Sequence, residues 1–219
     1  AEMPEFATVV GAGVMGAGIA GSLAEKGVNV RLADLSSEAL GCALGEHEKS
    51  VLRKVKRRRM SKSDGTAAID RLDAAQGIVG MARSTFAVEA VAEVLGVKHK
   101  VFSELAEALP NDAILATNTS SLSVSEIAAG VPSPERVVGM HFFNPVRMMP
   151  LVEVVRGAST SDEVVARTCA LAISMGKTPV ITRDVPGFLV NRLLGPYIDE
   201  AVRLFVGGAD PARIDSLMV

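Results

Sequence analysis

The sequence predicts an α/β protein with a doubly wound, mostly parallel sheet. Three observations carry that prediction. Short apolar runs alternate with helical stretches through most of the 219 residues, the order that packs helices on both faces of one sheet. The pattern Gly11-Ala12-Gly13-Val14-Met15-Gly16 directly follows the apolar run Thr8-Val9-Val10 and opens a helix. A second apolar run closes on Asp34, 18 residues after Gly16. Strand, turn, helix, strand and acid at that spacing are suited to hold a dinucleotide.

The elements follow in order. The helix over 14–26 ends at Gly27, and a strand spans 28–34. Residues 38–60 read as one long helix, and 66–75 continue helically after a break at 61–65. Short strands are expected at 78–82 and 86–91. Residues 97–109 form an amphipathic helix, because Val97, Val101, Leu105 and Leu109 recur about every fourth residue. A strand at 113–116 delivers Thr117, Asn118, Thr119, Ser120 and Ser121 at its end, before a short helix over 123–129. Residues 137–143 and 151–156 are strands about a turn-like segment at 144–150. Ser161 caps a helix over 161–175, with Asp162 and Glu163 in its first turn. A strand at 178–182 ends the alternation, and the chain is helical over 188–206 and 211–218. The boundary at Pro186-Gly187 divides residues 1–186 from the start of a helical domain over 187–219.

Each glycine of the first turn has a task. Gly11 allows the tight turn, Gly13 removes the side chain that would block a diphosphate, and Gly16 lets the helix pack closely. The diphosphate meets the N–H groups and positive dipole of the helix start. Asp34 accepts from the ribose 2′-hydroxyl and repels a 2′-phosphate, so NAD is expected over NADP. The plain alternative is a glycine-rich turn with Asp34 as a helix cap. The direction of Arg31, which would soften the preference, stays open.

The second constellation is Met140-His141-Phe142-Phe143-Asn144-Pro145 with Glu153. If the flanking strands fold back symmetrically about Arg147, His141 faces Glu153, and opposed residues of an antiparallel pair share a face. Histidine is the default proton acceptor for an alcohol near neutral pH, and a carboxylate beside it fixes its tautomer. The alternative is a buried structural His beside an unrelated Glu. His47 and His99, the remainder of three histidines, fall in polar helical stretches with no motif nearby.

Lysine and arginine number 23 against 25 aspartates and glutamates, a net −2, which argues against a general nucleic-acid binder. Seven Phe, one Tyr and no Trp leave few platforms for stacking single strands. Cys42 and Cys169 lack metal spacing and read as free thiols. No apolar run reaches about 18 residues, so no membrane-spanning helix is expected, and the residues before the first strand are not expected to act as a basic-plus-apolar leader. The basic run Arg53-Lys54-Val55-Lys56-Arg57-Arg58-Arg59 reads first as a solvated helix face. The last helices carry Leu193, Leu194, Ile198, Val202, Phe205 and Leu217, with Val219 after them. Two helices rarely bury so much apolar surface alone, so self-association or domain exchange is expected there.

These motifs have a counterpart. Residues 11–16, Asn118-Thr119-Ser120-Ser121-Leu122, His141-Phe142-Phe143-Asn144-Pro145-Val146, Leu151-Val152-Glu153-Val154-Val155 and Pro186-Gly187-Phe188-Leu189-Val190-Asn191-Arg192 stand in the order found in the 3-hydroxyacyl-CoA dehydrogenases of fatty-acid β-oxidation. The chain resembles that family along nearly its whole length. Met149-Pro150-Leu151, Arg156-Gly157 and residues 191–197 look closest to the dehydrogenase part of multifunctional β-oxidation proteins.

The resemblance implies a Rossmann-type sheet with a helical arm, followed by a truncated start of an all-helical C-terminal domain. It implies NAD as cofactor and an acyl-CoA as substrate. His141 would be the general base, Glu153 its support, Ser120 a donor to the reacting oxygen, and Asn191 a holder of the substrate oxygens. Ser120 reads alternatively as a turn or cap residue, and Asn191 as a helix amide bonded to backbone. Gly11, Gly13, Met15, Gly16, Asp34, Glu93, Lys98 and Asn118 would contact the cofactor. Glu93 and Lys98 read alternatively as an exposed acid and a solvated lysine. Ser50, Arg57 and Arg58 fall near the coenzyme A contacts, whose phosphates need cations. Gly96 at a helix start and a short linker over 78–86 depart from the family pattern.

Three functions follow: oxidation of a 3-hydroxyacyl-CoA, oxidation of a sugar acid or hydroxy acid by a relative, or a non-catalytic NAD-binding or structural role. A homo-oligomer or a place in a larger multifunctional chain is expected, without nucleic acid. The location would be cytoplasmic in a bacterium, and mitochondrial or peroxisomal otherwise.

Overall fold

A computed structural model describes residues 3–218; Ala1, Glu2 and the apolar Val219 lie outside the described residues. The elements are β1 (Phe6–Val10), α1 (Val14–Glu25), β2 (Asn29–Asp34), α2 (Ser37–Lys56), α3 (Lys62–Asp70), β3 (Leu72–Gln76), β4 (Phe86–Glu89), α4 (Leu95–Ala108), β5 (Ile114–Thr117), α5 (Val124–Ala128), β6 (Val137–Phe142), β7 (Leu151–Arg156), α6 (Asp162–Ser174), β8 (Thr178–Arg183), α7 (Val190–Val206) and α8 (Pro211–Leu217).

The eight strands form one sheet in the order β3-β2-β1-β4-β5-β6-β7-β8. All neighbours pair in parallel except β6 and β7, which are antiparallel. The doubly wound, mostly parallel sheet is therefore as expected, with β7 and β8 running against the rest. Strand order reverses around β1, which pairs with β2 on one side and β4 on the other. Crevices for ligands open beyond the carboxyl ends of strands at such a reversal.

The core has one layer on each face. Ile19, Leu23 and Leu32 pack with Met140 and Val154 in one layer. Phe102, Leu105, Leu115, Ile127 and Val137 form the other. The central strands β4 and β5 are buried at every position, as strands covered on both faces must be.

Two segments differ from expectation. Residues 72–75, expected to be helical, form β3, which pairs with β2 from Val30↔Leu72 to Asp34↔Gln76. Alanine favours a helix in isolation, but β2 offers the backbone a hydrogen-bonded ladder along one side, and tertiary pairing overrides propensity. Only Leu72 and Ala75 of β3 are buried, so the strand's apolar signature is thin. Residues 78–82, expected as a strand, form none. Gly77 and Gly80 take positive φ values of 79° and 69°, which break extension on either side of Ile78. The long helix also stops early, at Lys56, and Arg58 turns to φ 55°.

The final helices leave the sheet. No residue of α7 is buried, and Leu193 is 67% exposed. Phe188, just before α7, and Ile214 of α8 are the buried apolar residues there. No helix among the described residues is long and apolar enough to cross a membrane.

Candidate active site

The β6–β7 register places His141 opposite Glu153, as symmetry about Arg147 requires. Nδ1 of His141 lies 2.7 Å from Oε2 of Glu153. A carboxylate only accepts, so Nδ1 carries the proton and Nε2 keeps the lone pair. Glu153 is fully buried, and His141 is 7% exposed. The rings of Phe143 and Phe188 stand 4.6 and 5.8 Å from the imidazole and shield the pair from water.

The other oxygen of Glu153 has a second task that the sequence did not reveal. Oε1 accepts the backbone N–H groups of Leu189 (2.8 Å) and Val190 (2.9 Å). These are orphan donors at the start of α7, which has no side-chain cap of its own. One carboxylate thus joins the histidine to the first turn of the last long helix.

His141 lines a cavity of about 520 Å³ together with Ser120, Asn191, Asn118, Glu93 and Met15. Six residues expected from scattered motifs therefore converge. Asn191 Nδ2 donates to the Ser120 carbonyl at 3.2 Å, tying α7 to the end of β5. Asn118 Oδ1 accepts from the Phe142 N–H at 2.9 Å, so its carbonyl end is a brace between β5 and β6.

Beside the cavity lies a buried charge cluster. Lys98 is 1% exposed, so the solvated alternative is excluded. Its ammonium lies 2.7 Å from Glu89 and 3.2 Å from Glu93. Glu89, which sequence reasoning missed, also accepts from Val91 N–H and Thr117 Oγ1, each at 2.7 Å. An acid ending a strand otherwise made of Phe86, Ala87 and Val88 was the available signal. Glu93 accepts from the Thr119 hydroxyl and the Ser120 N–H. Burial works against its charge, but those bonds and Lys98 hold its pKa at about 2. A depressed carboxylate contributes stability above its unfolded value, and that contribution fades as pH falls through the folded value. The stability difference between the parent and Glu93→Gln is therefore expected to shrink between pH 4.5 and about 2. Denaturant melts across that window check it.

The glycine turn is sterically tight at Gly11 and Gly16. Gly11 has φ 105°, and a Cβ there would lie 2.5 Å from the Ala90 carbonyl oxygen. A Cβ on Gly16 would lie 1.7 Å from the Gly11 carbonyl oxygen, so the helix packs on the turn itself. A Cβ on Gly13 would meet no protein atom within 4 Å; that space is open to a ligand. Asp34 accepts from the N–H groups of Ala12 (2.7 Å) and Ser36 (2.9 Å) and lines a hollow of about 640 Å³ with Gly11 and Gly13. Arg31 is paired with Asp73 at 2.9 Å on the edge strand. Gly16→Ala forces two backbone segments apart and is expected to cost about 1–3 kcal/mol, to be read from the melting transition.

The basic arm divides. Ser50 and Arg53 line a hollow of about 490 Å³ between α1, α2 and the turn after β6. Arg57 and Arg58 are exposed beyond it, and Arg58 borders a separate hollow at the arm's tip. Asn144 lines both the Ser50 hollow and the His141 cavity. His47, expected on a polar stretch, is instead 2% exposed and lies on the inner side of α2.

Comparison with known proteins agrees with this geometry. Residues 6–185 match the family described as 3-hydroxyacyl-CoA dehydrogenase, NAD binding domain, and residues 187–219 match its C-terminal domain. The fatty acid oxidation complex subunit alpha of a Psychrobacter strain is 42% identical over 212 residues, covering 97% of this chain. The chain spans 30% of the length of that relative. The crystal structure of 3-hydroxybutyryl-CoA dehydrogenase from Escherichia coli superposes with a TM-score of 0.92 at 41% identity, over 95% of this chain and 44% of that one. The (S)-3-hydroxybutyryl-CoA dehydrogenase from Ralstonia eutropha gives 0.91 at 35%, over 95% of this chain and 74% of that one.

Proposed function

Because the chain belongs to the 3-hydroxyacyl-CoA dehydrogenase family, we propose that it oxidises an (S)-3-hydroxyacyl-CoA to the 3-oxoacyl-CoA, with His141 as general base. The observation that supports this most is the buried His141–Glu153 pair at 2.7 Å beside a cavity shared with Ser120 and Asn191. NAD held by the glycine turn would supply the acceptor for the hydride released at the carbinol carbon. The residues present fit it: the space at Gly13 and the α1 N-terminus suit its diphosphate, and Asp34 suits a ribose.

The chain's own groups do the rest. Nε2 of His141 takes the hydroxyl proton as the carbonyl forms. Glu153 holds the imidazole in the tautomer that leaves Nε2 free and stabilises the imidazolium. Ser120 donates to the reacting oxygen, and Asn191 holds the substrate oxygens near the β-carbon and thioester. Phe143 and Phe188 exclude water, which strengthens each polar contact. The Ser50–Arg53 hollow, joined to the cavity at Asn144, suits the pantetheine and phosphates. As in the relatives that are subunits of a fatty acid oxidation complex, this part would work within a larger assembly.

The test is NADH formation by the full-length protein from (S)-3-hydroxybutyryl-CoA and longer homologues. Turnover is expected with at least one thioester; turnover only of free hydroxy acids or sugar acids would overturn the proposal. Cofactor choice gives a second check. Asp34→Ala is expected to weaken NAD binding far more than NADP binding, because only NADP suffers the repulsion that Asp34 supplies. Equal losses in calorimetric titrations would remove Asp34 from that role.

A further inference from the structure

The turn after β6 brings one cation to the Ser50 hollow that the proposed mechanism does not use. Arg147 lies there, its side chain 29% exposed. Nη2 lies 3.3 Å from Nδ1 of His47. His47 Nε2 is 2.9 Å from the Ala68 carbonyl oxygen, which only accepts, so Nε2 holds the proton and Nδ1 offers its lone pair to the guanidinium. Burial pushes the His47 pKa down and keeps the ring neutral. A neutral ring aims Arg147 without cancelling its charge. Among the described residues, the carboxylate paired with Arg147 is Glu25, at 3.9 Å, and its other oxygen is taken by Lys54. Glu46, also on the rim, is bonded to Lys49 at 3.0 Å.

The backbone beneath is fixed. Lys177 donates to the carbonyls of Val146 and Met149. The N–H groups of Met148 and Met149 return to the Pro145 carbonyl at 2.9 and 3.0 Å. Gly21 leaves room for the pair above it: a Cβ there would lie 2.7 Å from Arg147 Nη2 and 2.8 Å from His47 Nδ1. A pre-set, incompletely paired guanidinium at the wall of a hollow presents planar N–H donors that suit a phosphate.

We propose that Arg147 binds a phosphate of a nucleotide diphosphate, with His47 as its positioning residue. This rests on the function proposed above, whose two reactants, acyl-CoA and NAD, both carry a diphosphate. The hollow meets each route, through Ser50 and Arg53 on one wall and Gly13 on another.

Calorimetric titration of the full-length protein with coenzyme A, pantetheine and NAD separates the sources without needing turnover. If the phosphate is the substrate's, Arg147→Gln lowers affinity for coenzyme A about tenfold or more and leaves pantetheine unchanged. If it is the cofactor's, the loss falls on NAD. Arg147→Lys, which keeps the charge but not the fork, is expected to recover part of either loss and stands in if the Gln variant melts at a lower temperature. Unchanged affinity for both nucleotides, or equal losses for coenzyme A and pantetheine, would overturn the assignment. A parent protein that fails to bind coenzyme A would instead sink the proposed substrate, leaving NAD to decide Arg147.

Discussion

Replacing His141 by Gln is expected to lower kcat by about 10² to 10⁴-fold while NAD affinity stays close to that of the parent. The reason is geometric. His141 stands in the cavity with its Nδ1 committed to Glu153, so Nε2 is the group placed to take a proton. Glutamine keeps polar bulk on β6 but cannot accept a proton at neutral pH. The dinucleotide turn at residues 11–16 joins β1 to the start of α1 and shares no hydrogen bond with His141 among the described residues. Steady-state rates with a 3-hydroxyacyl-CoA, beside NAD titrations, check both halves. A kcat within a few-fold of the parent would remove His141 from the chemistry.

Changing Glu153 is expected to have two effects, because its carboxylate has two sets of partners. Glu153→Gln removes the charge that stabilises the imidazolium and is expected to lose much of the rate lost in His141→Gln. The two losses should not add, since both act on one proton transfer. Glu153→Ala goes further: it leaves His141 Nδ1 and the N–H groups of Leu189 and Val190 without an acceptor. Leaving a buried donor without an acceptor costs about 1–3 kcal/mol. The loosened segment is the one that carries Asn191. Amide hydrogen exchange should therefore rise first at residues 189–191, before global unfolding. Additive rate losses in the double variant, or unchanged exchange there, would contradict this double role.

The parts of this protein that rest on local rules were legible in the sequence. The spacing of Gly11, Gly13, Gly16 and Asp34 announces a strand, turn and helix, and a side chain at Gly11 or Gly16 would strike backbone. The His141–Glu153 pairing followed from hairpin symmetry, since register decides which side chains face each other. What the sequence hid depends on long-range partners. An alanine-rich stretch became β3 because β2 offered it an edge. His47 stands among charged residues in sequence, yet the side of α2 that it occupies is the one covered by α3 and the Arg147 turn. Lys98 resembled a surface lysine until Glu89, nine residues earlier, placed a buried carboxylate against it. The link from Glu153 to α7 joins residues 36 and 37 positions apart, through backbone groups that no side-chain pattern reports.

The most direct test of the central claim is nitrogen-15 NMR of the His141 imidazole in the full-length protein near neutral pH. The expected result is a protonated Nδ1 and a bare Nε2 whose resonance moves when a 3-hydroxyacyl-CoA binds. A protonated Nε2 with a bare Nδ1, unaffected by the thioester, would leave no lone pair to take the hydroxyl proton and would contradict the assignment of His141 as the base.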